Sequence, residues 1–511
     1  MANGNNEQES YWSGLWTNED WWACWLGWFI LVLAIISVIP KAPLTDQAAS
    51  KGKPAVVKET KAVVKADEAA EPEAAKATKA EGKKEAKKKK KKKYAKAYPQ
   101  VLPKTPKIGK WTPGTLNKMF PKGMGTIGTA LKFFVFSLII TMIAGYFLKF
   151  DLKLYIPGFL VIFLISVVSM VISKEVFIKD WGISYVLFAL LIGLIISNVF
   201  TVPEFLKAGG QTEFFVKIGL VCMGATIMFS DVLKGGLVGL IQAVLVATVV
   251  WFMTYWICRA FKVSERFSAI IATANSICGV SATIAAGGAM QGDPKEVSYM
   301  VAWVLVCAVV LILIMPPIAI WLNLTPAWAG AWVGGVIDNT GAVIAAGEVI
   351  GEKSTTPGAK EIAVKAAAMV KMSQNVLIGL AAFLMALWAT LSLDRKDRPD
   401  VEAPSLMEVW YRFPKFVVGF IVASLIVSFI VEPAWGNKVA KAAGKLCKSY
   451  RSWFFTFCFV AIGLETNFKE LISVGGGRPA IAYWLSQTAN AFWTLFVSYI
   501  LWEILFKGTL G

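Results

Sequence analysis

The sequence predicts an all-α polytopic membrane protein. Its composition is 56% hydrophobic, with 32 Phe and 21 Trp, whereas an average soluble chain is roughly 45–50% apolar. Runs of about 20 mainly apolar residues recur along the chain, and a helix of that length spans the ~30 Å hydrocarbon core of a bilayer. Because these runs are continuous and do not alternate with a period of two, a transmembrane β-barrel is not expected.

Composition divides the chain into three parts. Residues 1–40 hold an apolar run that opens with clustered tryptophans, so we predict an accessory N-terminal transmembrane helix. Residues 41–125 are rich in Ala, Lys, Glu and Pro, and such a segment buries too little apolar surface to fold; we predict a disordered Lys/Ala-rich linker. Residues 126–511 form the predicted membrane domain.

About twelve segments of membrane length follow one another in this domain. They lie near residues 129–148, 157–173, 182–201, 212–229, 236–261, 267–290, 296–322, 327–350, 362–391, 416–432, 452–468 and 480–506. If every segment spans and the Lys-rich linker is inside, Arg259, Lys262 and Arg266 fall outside, against the positive-inside bias. Either one segment is re-entrant or the count is off by one.

The net charge of +18 is concentrated in the linker, which includes the lysine run Lys87 to Lys93. A solvated tail beside an anionic leaflet accounts for this charge, so we expect membrane lipids and not nucleic acid as partners. The chain has no His, which excludes His proton relays and His-dependent nucleophiles. The seven Cys form neither a zinc nor a disulfide pattern. We predict no catalytic residues, no metal, no cofactor and no enzymatic activity.

Two membrane-length segments are built from small and polar residues instead of Leu and Phe. They are Ile271 to Met290 and Trp332 to Gly347. Asn, Asp, Ser, Thr and Gly are tolerated at bilayer depth where the backbone is broken, buried in protein or lining a cavity. These segments are therefore the predicted ligand site.

A short internal repeat relates two other segments. Met223 to Leu233 aligns with Ile462 to Ile472, and in this alignment Gly224 pairs with Gly463. The copies are seven segments apart, an odd offset, so they have opposite membrane orientation if each segment between them spans. Inverted repeats with Gly-interrupted helices are typical of secondary transporters.

These residues resemble the YeiH-type sulfate exporter family, which belongs to the cation/proton antiporter and anion transporter superfamily. The stretches NSICGVSATIAA, VGGVIDNTGAVIAAG, FFVKIGLVCMGATIMF and FVAIGLETNFKEL carry the resemblance, which covers roughly residues 126–508. It implies that residues 126–511 are a transporter domain with inverted repeats, broken helices crossing at mid-membrane, and core and panel domains. It also implies a homodimer, and a multi-pass location in the inner (plasma) membrane.

The sequence departs from the family pattern at two places. Where family members commonly show His-Glu followed by Val-Ala, this chain has Asp338 to Gly341, so an acid is kept and the His is absent. Lys371 matches the Lys of the family's K-x-x-R element, but Gln374 stands at the Arg position. A His-dependent proton step therefore does not transfer to this chain.

We predict substrate binding by residues near helix breaks, because a helix N-terminus has unpaired N–H groups and a partial positive charge that suit an anion. These residues are Asn275, Ser276, Cys278, Gly279, Ser281, Asn339, Thr340, Gly341 and Lys371. The alternative for the first group is close packing of small residues between helices.

We predict a coupling-ion or proton role for intramembrane charges and their polar neighbours, because such charges usually mark function. These residues are Asp338, Glu465, Thr466, Asn467 and Lys217. Lys217 and Lys371 could pair with Asp338 or Glu465, neutralise an anion, or extend their amines to the interface. The polar run after Gly463 is equally well explained as a helix exit.

The sequence thus favours a secondary active transporter of a small inorganic or sulfur-containing anion, such as sulfate, sulfite or a sulfonate. Transport would proceed by alternating access coupled to H⁺ or Na⁺. A cation/proton antiporter and a passive anion channel remain open as alternatives.

Overall fold

The computed structural model describes residues 15–39, 101–121, 123–180, 185–390, 410, 413–466 and 477–508. The regular elements of these residues are helices, and seven of them are long and apolar enough to cross a membrane. The all-α polytopic class is therefore confirmed. The main helices are α1 (Glu19–Ile36), α2 (Met124–Phe147), α3 (Leu152–Ile172), α4 (Tyr185–Val199), α5 (Thr212–Gly224), α6 (Phe229–Ala260), α7 (Glu265–Ser276), α8 (Val280–Ala289), α9 (Pro294–Trp321), α10 (Pro326–Val336), α11 (Thr340–Lys353), α12 (Ala359–Trp388), α13 (Lys415–Trp435), α14 (Asn437–Glu465) and α15 (Gly477–Tyr499, extended to Leu505 by a π-helical turn).

Helices α7 and α8 form a re-entrant hairpin. With 12 and 10 residues they are only ~18 and ~15 Å long, too short to cross ~30 Å of hydrocarbon. Nη1 of Arg266, at the start of α7, donates a hydrogen bond of 2.5 Å to the carbonyl of Met290, just after α8. The two ends are therefore adjacent and the chain folds back on itself. We call residues 265–289 hairpin A and Ile277–Gly279 its tip.

Helices α10 and α11 form a second hairpin. A Cβ atom added to Gly330 would lie 2.3 Å from the carbonyl oxygen of Ala363, and one added to Gly347 would lie 3.3 Å from the same atom. In one straight helix these two glycines would be ~25 Å apart. We call residues 326–353 hairpin B and Ile337–Asn339 its tip.

Helix α12 shows that the hairpins enter from opposite faces. Near its start, Lys360 packs against Gly351 at the open end of hairpin B. At its middle, Lys371 reaches the tip of hairpin A, and further along Ile378 packs beside Ala282 of α8. The two tips therefore meet halfway along α12.

This arrangement changes one sequence prediction. The breaks expected within 267–290 and 327–350 are present, but these segments do not cross the membrane as broken spans; each returns to the face from which it entered. Gly279 has φ +66°, a conformation that glycine adopts without strain and that lets the chain reverse at the tip. Short helices with small residues can pack this closely because their backbones approach one another.

The remaining helices surround the hairpins or form a layer beside them. Helices α6, α9, α12 and α15 contact the hairpins and form the hairpin unit with them, whereas α4 and α5 pack on α14 and form the helix layer with it. Helices α5 and α14 are antiparallel, because Thr212 bonds Glu465 and Gly444 approaches Ala225. The helices that follow them, α6 and α15, also pack together. This pairing is what the predicted inverted repeat requires.

Helix α1 is more than an accessory. Ala23, Cys24, Ile30 and Leu31 have no exposed surface, and α1 packs on α5, α13 and α14. The sequence underestimated this role because an apolar helix facing lipid and one facing protein have the same composition.

The predicted linker of residues 41–125 is too long at its C-terminal end. Within 101–121, Leu102 is fully buried, Trp111 Nε1 donates to the Val171 carbonyl at 2.8 Å, and the Pro103 carbonyl accepts from Tyr450 at 2.8 Å. These contacts order a segment whose composition alone indicated disorder. Residues 40–100 lie outside the described part. We call the face on which 101–121 pack the linker face.

Candidate functional site

The two hairpin tips are in direct contact. A Cβ atom on Gly279 would lie 2.4 Å from the Asp338 carbonyl oxygen and 3.0 Å from the Asp338 Cβ. Asp338 is 1% exposed, so the tip of hairpin B places an acid inside the protein at the meeting point. The structure thus brings together the two segments that the sequence singled out.

Lys371 lies at the centre of this contact. Its side chain has no exposed surface, and Nζ donates to the Ile277 carbonyl at 2.6 Å and to Gln374 Oε1 at 3.1 Å. Lys371 and Asp338 both belong to the contact between the two tips. This lysine therefore does not extend to the membrane interface, and among the described residues it forms no ion pair with Asp338.

Asp338 has a second partner that sequence reasoning missed. The hydroxyl of Tyr483, which is fully buried, donates a hydrogen bond to Asp338 Oδ2. One carboxylate oxygen is thereby held in place by α15.

Helix ends of opposite polarity converge at the tips. Side chains cover C-terminal carbonyls of α10, because Gln374 Nε2 donates to Gly335 at 3.1 Å and Gln487 Nε2 donates to Val336 at 2.7 Å. The returning helices α8 and α11 present their N-termini at the tips, and first-turn N–H groups have no carbonyl partner within their own helix. Their partial positive charges favour an anion.

The candidate residues of hairpin A are distributed around its tip. Asn275 is fully buried and donates to Thr254 Oγ1 at 2.8 Å, and Ser276 is buried with its carbonyl near Gln374. Cys278 is 6% exposed, and Ser281 is half-buried in the first turn of α8. Asn275 and Ser276 thus position the turn, while Cys278 and Ser281 flank the N-terminus of α8.

The candidate residues of hairpin B have different roles. Asn339 caps α11, since its Oδ1 accepts from the Ala342 N–H at 3.0 Å. Thr340 Oγ1 accepts from Asn375 Nδ2 at 3.3 Å. Gly341 faces the helix layer, where an added Cβ would lie 3.3 Å from the Cys458 sulfur.

Two predicted coupling residues lie elsewhere. Glu465 is exposed at the end of α14, accepts from Thr212 Oγ1 at 2.8 Å, and lines a separate cavity of about 490 Å³. The carbonyl of Thr466 accepts from Ser197 and Asn198 at 2.8 and 2.9 Å, as expected of a helix exit. Asn467 lies outside the described residues.

Lys217 does not join the tips. Its Nζ lies 2.7 Å from Glu19 and 2.8 Å from Asp20 on α1, and 4.0 Å from Glu213. The expected pairing with Asp338 or Glu465 is therefore replaced by an ion cluster that attaches α1 to α5. Sequence alone could not show this, because the acids come from a helix far away along the chain.

Sequence reasoning missed a polar stripe on α15. The buried polar residues of this helix recur at spacings of three and four, which is one helical face. They are Tyr483, Ser486, Gln487, Asn490, Thr494 and Ser498. This periodicity inside an apolar segment was the signal available in the sequence.

Replacing Gly279 by Ala is expected to destabilise the fold by about 1–3 kcal/mol, the usual cost of overpacking. The new Cβ would lie 2.3 Å from Val304 Cγ1 and 2.4 Å from the Asp338 carbonyl, at a left-handed φ of +66°. Gly236→Ala is the matched control, since its Cβ would meet nothing within 4 Å. Unfolding midpoints in detergent measure both; equal midpoints would contradict the described tip contact.

Comparison with known proteins supports membership of one family. Residues 157–482 match the family model described as conserved hypothetical protein 698. A UPF0324 membrane protein of Rhodopirellula baltica is 36% identical over 98% of this chain and 93% of its own length. One from Nitratidesulfovibrio vulgaris is 34% identical over 70% of this chain, and the match spans 62% of that relative.

A third relative, from Nitrosomonas europaea, is 28% identical over 67% of this chain and 77% of its own length. No solved structure matches this chain. The chain belongs to the UPF0324 family of membrane proteins, which is the YeiH-type family that the sequence resembles.

Proposed function

We propose that this protein is a secondary active transporter of a small oxyanion, such as sulfate, sulfite or a sulfonate. One observation carries the proposal: two opposed hairpins bring the N-termini of α8 and α11 and the buried amine of Lys371 to one point. Discontinuous helices whose N-termini face anionic groups are the usual binding element of such transporters.

Coupling follows from the charges at the tips. When Asp338 is ionised, its negative charge offsets the positive charge of Lys371 at the same tip contact, so little net positive charge remains for an anion. Protonation of Asp338 releases that charge, and an anion then binds beside Lys371 and the helix N-termini. Anion and proton therefore bind together, which is the requirement for coupled movement.

A proton suits this site better than Na⁺. The fixed ammonium of Lys371 and the two helix N-termini repel a metal cation such as Na⁺ at short range. Tyr483 already donates to one oxygen of Asp338, which leaves fewer oxygen ligands for Na⁺. The cation/proton antiporter is disfavoured for the same reason.

Alternating access would move the hairpin unit against the helix layer. Gly341 of hairpin B lies against Cys458 of α14 at the tip, so displacement of hairpin B from α14 would open the site. We place the protein in the inner membrane, as a homodimer.

The linker face is proposed to be cytoplasmic. Each hairpin returns to the membrane face from which it entered, so neither alters the face at which the next helix begins. The start of α14 at this face carries Lys438, Lys441, Lys445 and Lys448, and Lys-rich ends favour the cytoplasm.

The test is charge movement in proteoliposomes recorded on a solid-supported membrane. The external concentration of sulfate, sulfite, bicarbonate, taurine or chloride is raised abruptly in separate runs, at two pH values and with or without Na⁺. A saturable, pH-dependent current for one oxyanion is expected. Current driven by Na⁺ or pH alone would instead favour cation antiport, and uncoupled conductance would favour a channel.

Lys371→Gln should lower the apparent anion affinity by about 10–150-fold, the range expected when a hydrogen bond from a charged group is lost. The change removes the buried charge at the tips, which we expect to attract the anion. Lys217→Gln is the matched control, because it removes an equivalent lysine that pairs with Glu19 and Asp20. Equal loss in both variants, per folded protein, would contradict the site.

A further inference from the structure

We propose that a basic cavity at the linker face binds the phosphate group of an anionic ligand. The cavity has a volume of about 740 Å³ and lies between the start of α12, the start of α14 and the α5–α6 connection. One carboxylate, Glu361, lines it. The cations that line it are Lys360, Lys365, Lys441, Lys445, Lys448 and Arg451.

Among the described residues, two of these cations lack a carboxylate partner. Four are paired, namely Lys360 with Glu352 at 2.6 Å, Lys365 with Asp231 at 2.7 Å, Lys448 with Glu361 at 2.5 Å and Arg451 with Glu348 at 3.3 Å. In the part of the chain that the structure describes, no ion pair involves Lys441 or Lys445. These two lie four residues apart on one face of α14, where like charges repel. A bound anion would relieve that repulsion.

The cavity also has an apolar wall beside a lipid-facing surface. Met223, Ile227 and Val427 line it together with the lysines. Close to Val427 on the same helix, Phe429 and Ile430 are 64% and 56% exposed, as expected of residues that face acyl chains. Basic pockets between membrane helices bind phospholipid headgroups. The phosphate of an anionic phospholipid or a free phosphate would meet the same lysines.

A ligand here would join the two units of the fold. Lys360 and Lys365 belong to α12, which carries hairpin B, whereas Lys441 and Lys445 belong to α14 of the helix layer. A phosphate that contacts both helices would hold them in the present arrangement. This inference concerns a second anion site and does not depend on transport.

The experiment is native mass spectrometry of the full chain in detergent, titrated with phosphatidylglycerol or phosphatidylcholine. We expect selective binding of phosphatidylglycerol that weakens about 30-fold in Lys441→Gln/Lys445→Gln. Each lysine near an anionic headgroup strengthens binding about fivefold, so the loss of two gives an effect of this size. The control, Lys149→Gln/Lys153→Gln, removes the same charge from two exposed positions, one in the α2–α3 connection and one at the start of α3, and should bind like wild type.

A second arm separates the two sources of phosphate. Inorganic phosphate is added at millimolar concentration to lipid-free protein, and the unfolding temperature is recorded. Stabilisation by phosphate that is lost in Lys441→Gln/Lys445→Gln, without lipid selectivity, would assign the site to a soluble anion. If neither probe distinguishes this variant from its control, the proposal is overturned, whatever the transport assay shows.

Discussion

Asp338→Asn should lower coupled anion transport by about 100-fold while the protein still folds. The amide has the shape of the carboxyl group and can accept the Tyr483 hydrogen bond, so the tip contact is retained. It cannot take up a proton, however, and the coupling step needs one. The coupling free energy between two ligands is typically ~1–3 kcal/mol, or about 5–150-fold, so loss of the proton site accounts for an effect of this size.

Solid-supported membrane currents measure this effect, and unfolding temperature confirms the fold. Glu465→Gln is the matched control, because this second candidate acid lies in a separate cavity at the end of α14. We expect it to keep pH-dependent current. If Glu465→Gln abolished coupling while Asp338→Asn preserved it, the assignment of the proton site would be wrong.

Glu348→Ala should destabilise the protein by about 3–5 kcal/mol, the typical cost of breaking a buried ion pair. Glu348 of hairpin B is 2% exposed and contacts Arg451 at 3.3 Å, Lys360 at 3.4 Å and the Tyr185 hydroxyl at 3.0 Å. Arg451 is itself 4% exposed. Its charge would remain buried without this partner.

Unfolding in detergent, followed by fluorescence or calorimetry, gives the comparison. Glu361→Ala is the control. The Glu361 side chain, which forms a salt bridge with Lys448, is 56% exposed, and exposed pairs contribute at most ~1 kcal/mol to stability. The double variant Glu348→Ala/Arg451→Met should recover part of the loss, because it removes the unpaired charge. Equal destabilisation by Glu348→Ala and Glu361→Ala would show that the buried contacts of Glu348 contribute no more to stability than an exposed salt bridge does.

The location of the tips was predictable from the sequence. Gly, Ser, Asn and Asp in Ile271 to Met290 and Trp332 to Gly347 are unfavourable in lipid, so composition alone marked these segments as buried and broken. Asp338 and Lys371 were identified for the same reason. Tyr483 and Gln487 were missed, although their helical spacing along α15 was a usable signal.

Other features depended on distant contacts. Composition indicates where a helix breaks but not whether the chain continues or reverses, so the sequence left open which segment, if any, is re-entrant. Lys217 belongs to an ion cluster because α1 brings Glu19 and Asp20 to it from a remote part of the chain. Residues 101–121 are ordered because Pro103 and Trp111 find partners on α14 and α3.

By itself, the sequence determined that this is a helical membrane protein with two polar, interrupted segments and no His chemistry, because hydropathy and residue type act locally. The tertiary structure alone decided that the segments reverse, that their tips meet at Lys371 and Tyr483, and which charges neutralise one another. The physical reason is that hydrogen bonds and ion pairs form between side chains close in space, and linear spacing does not encode which helices become neighbours.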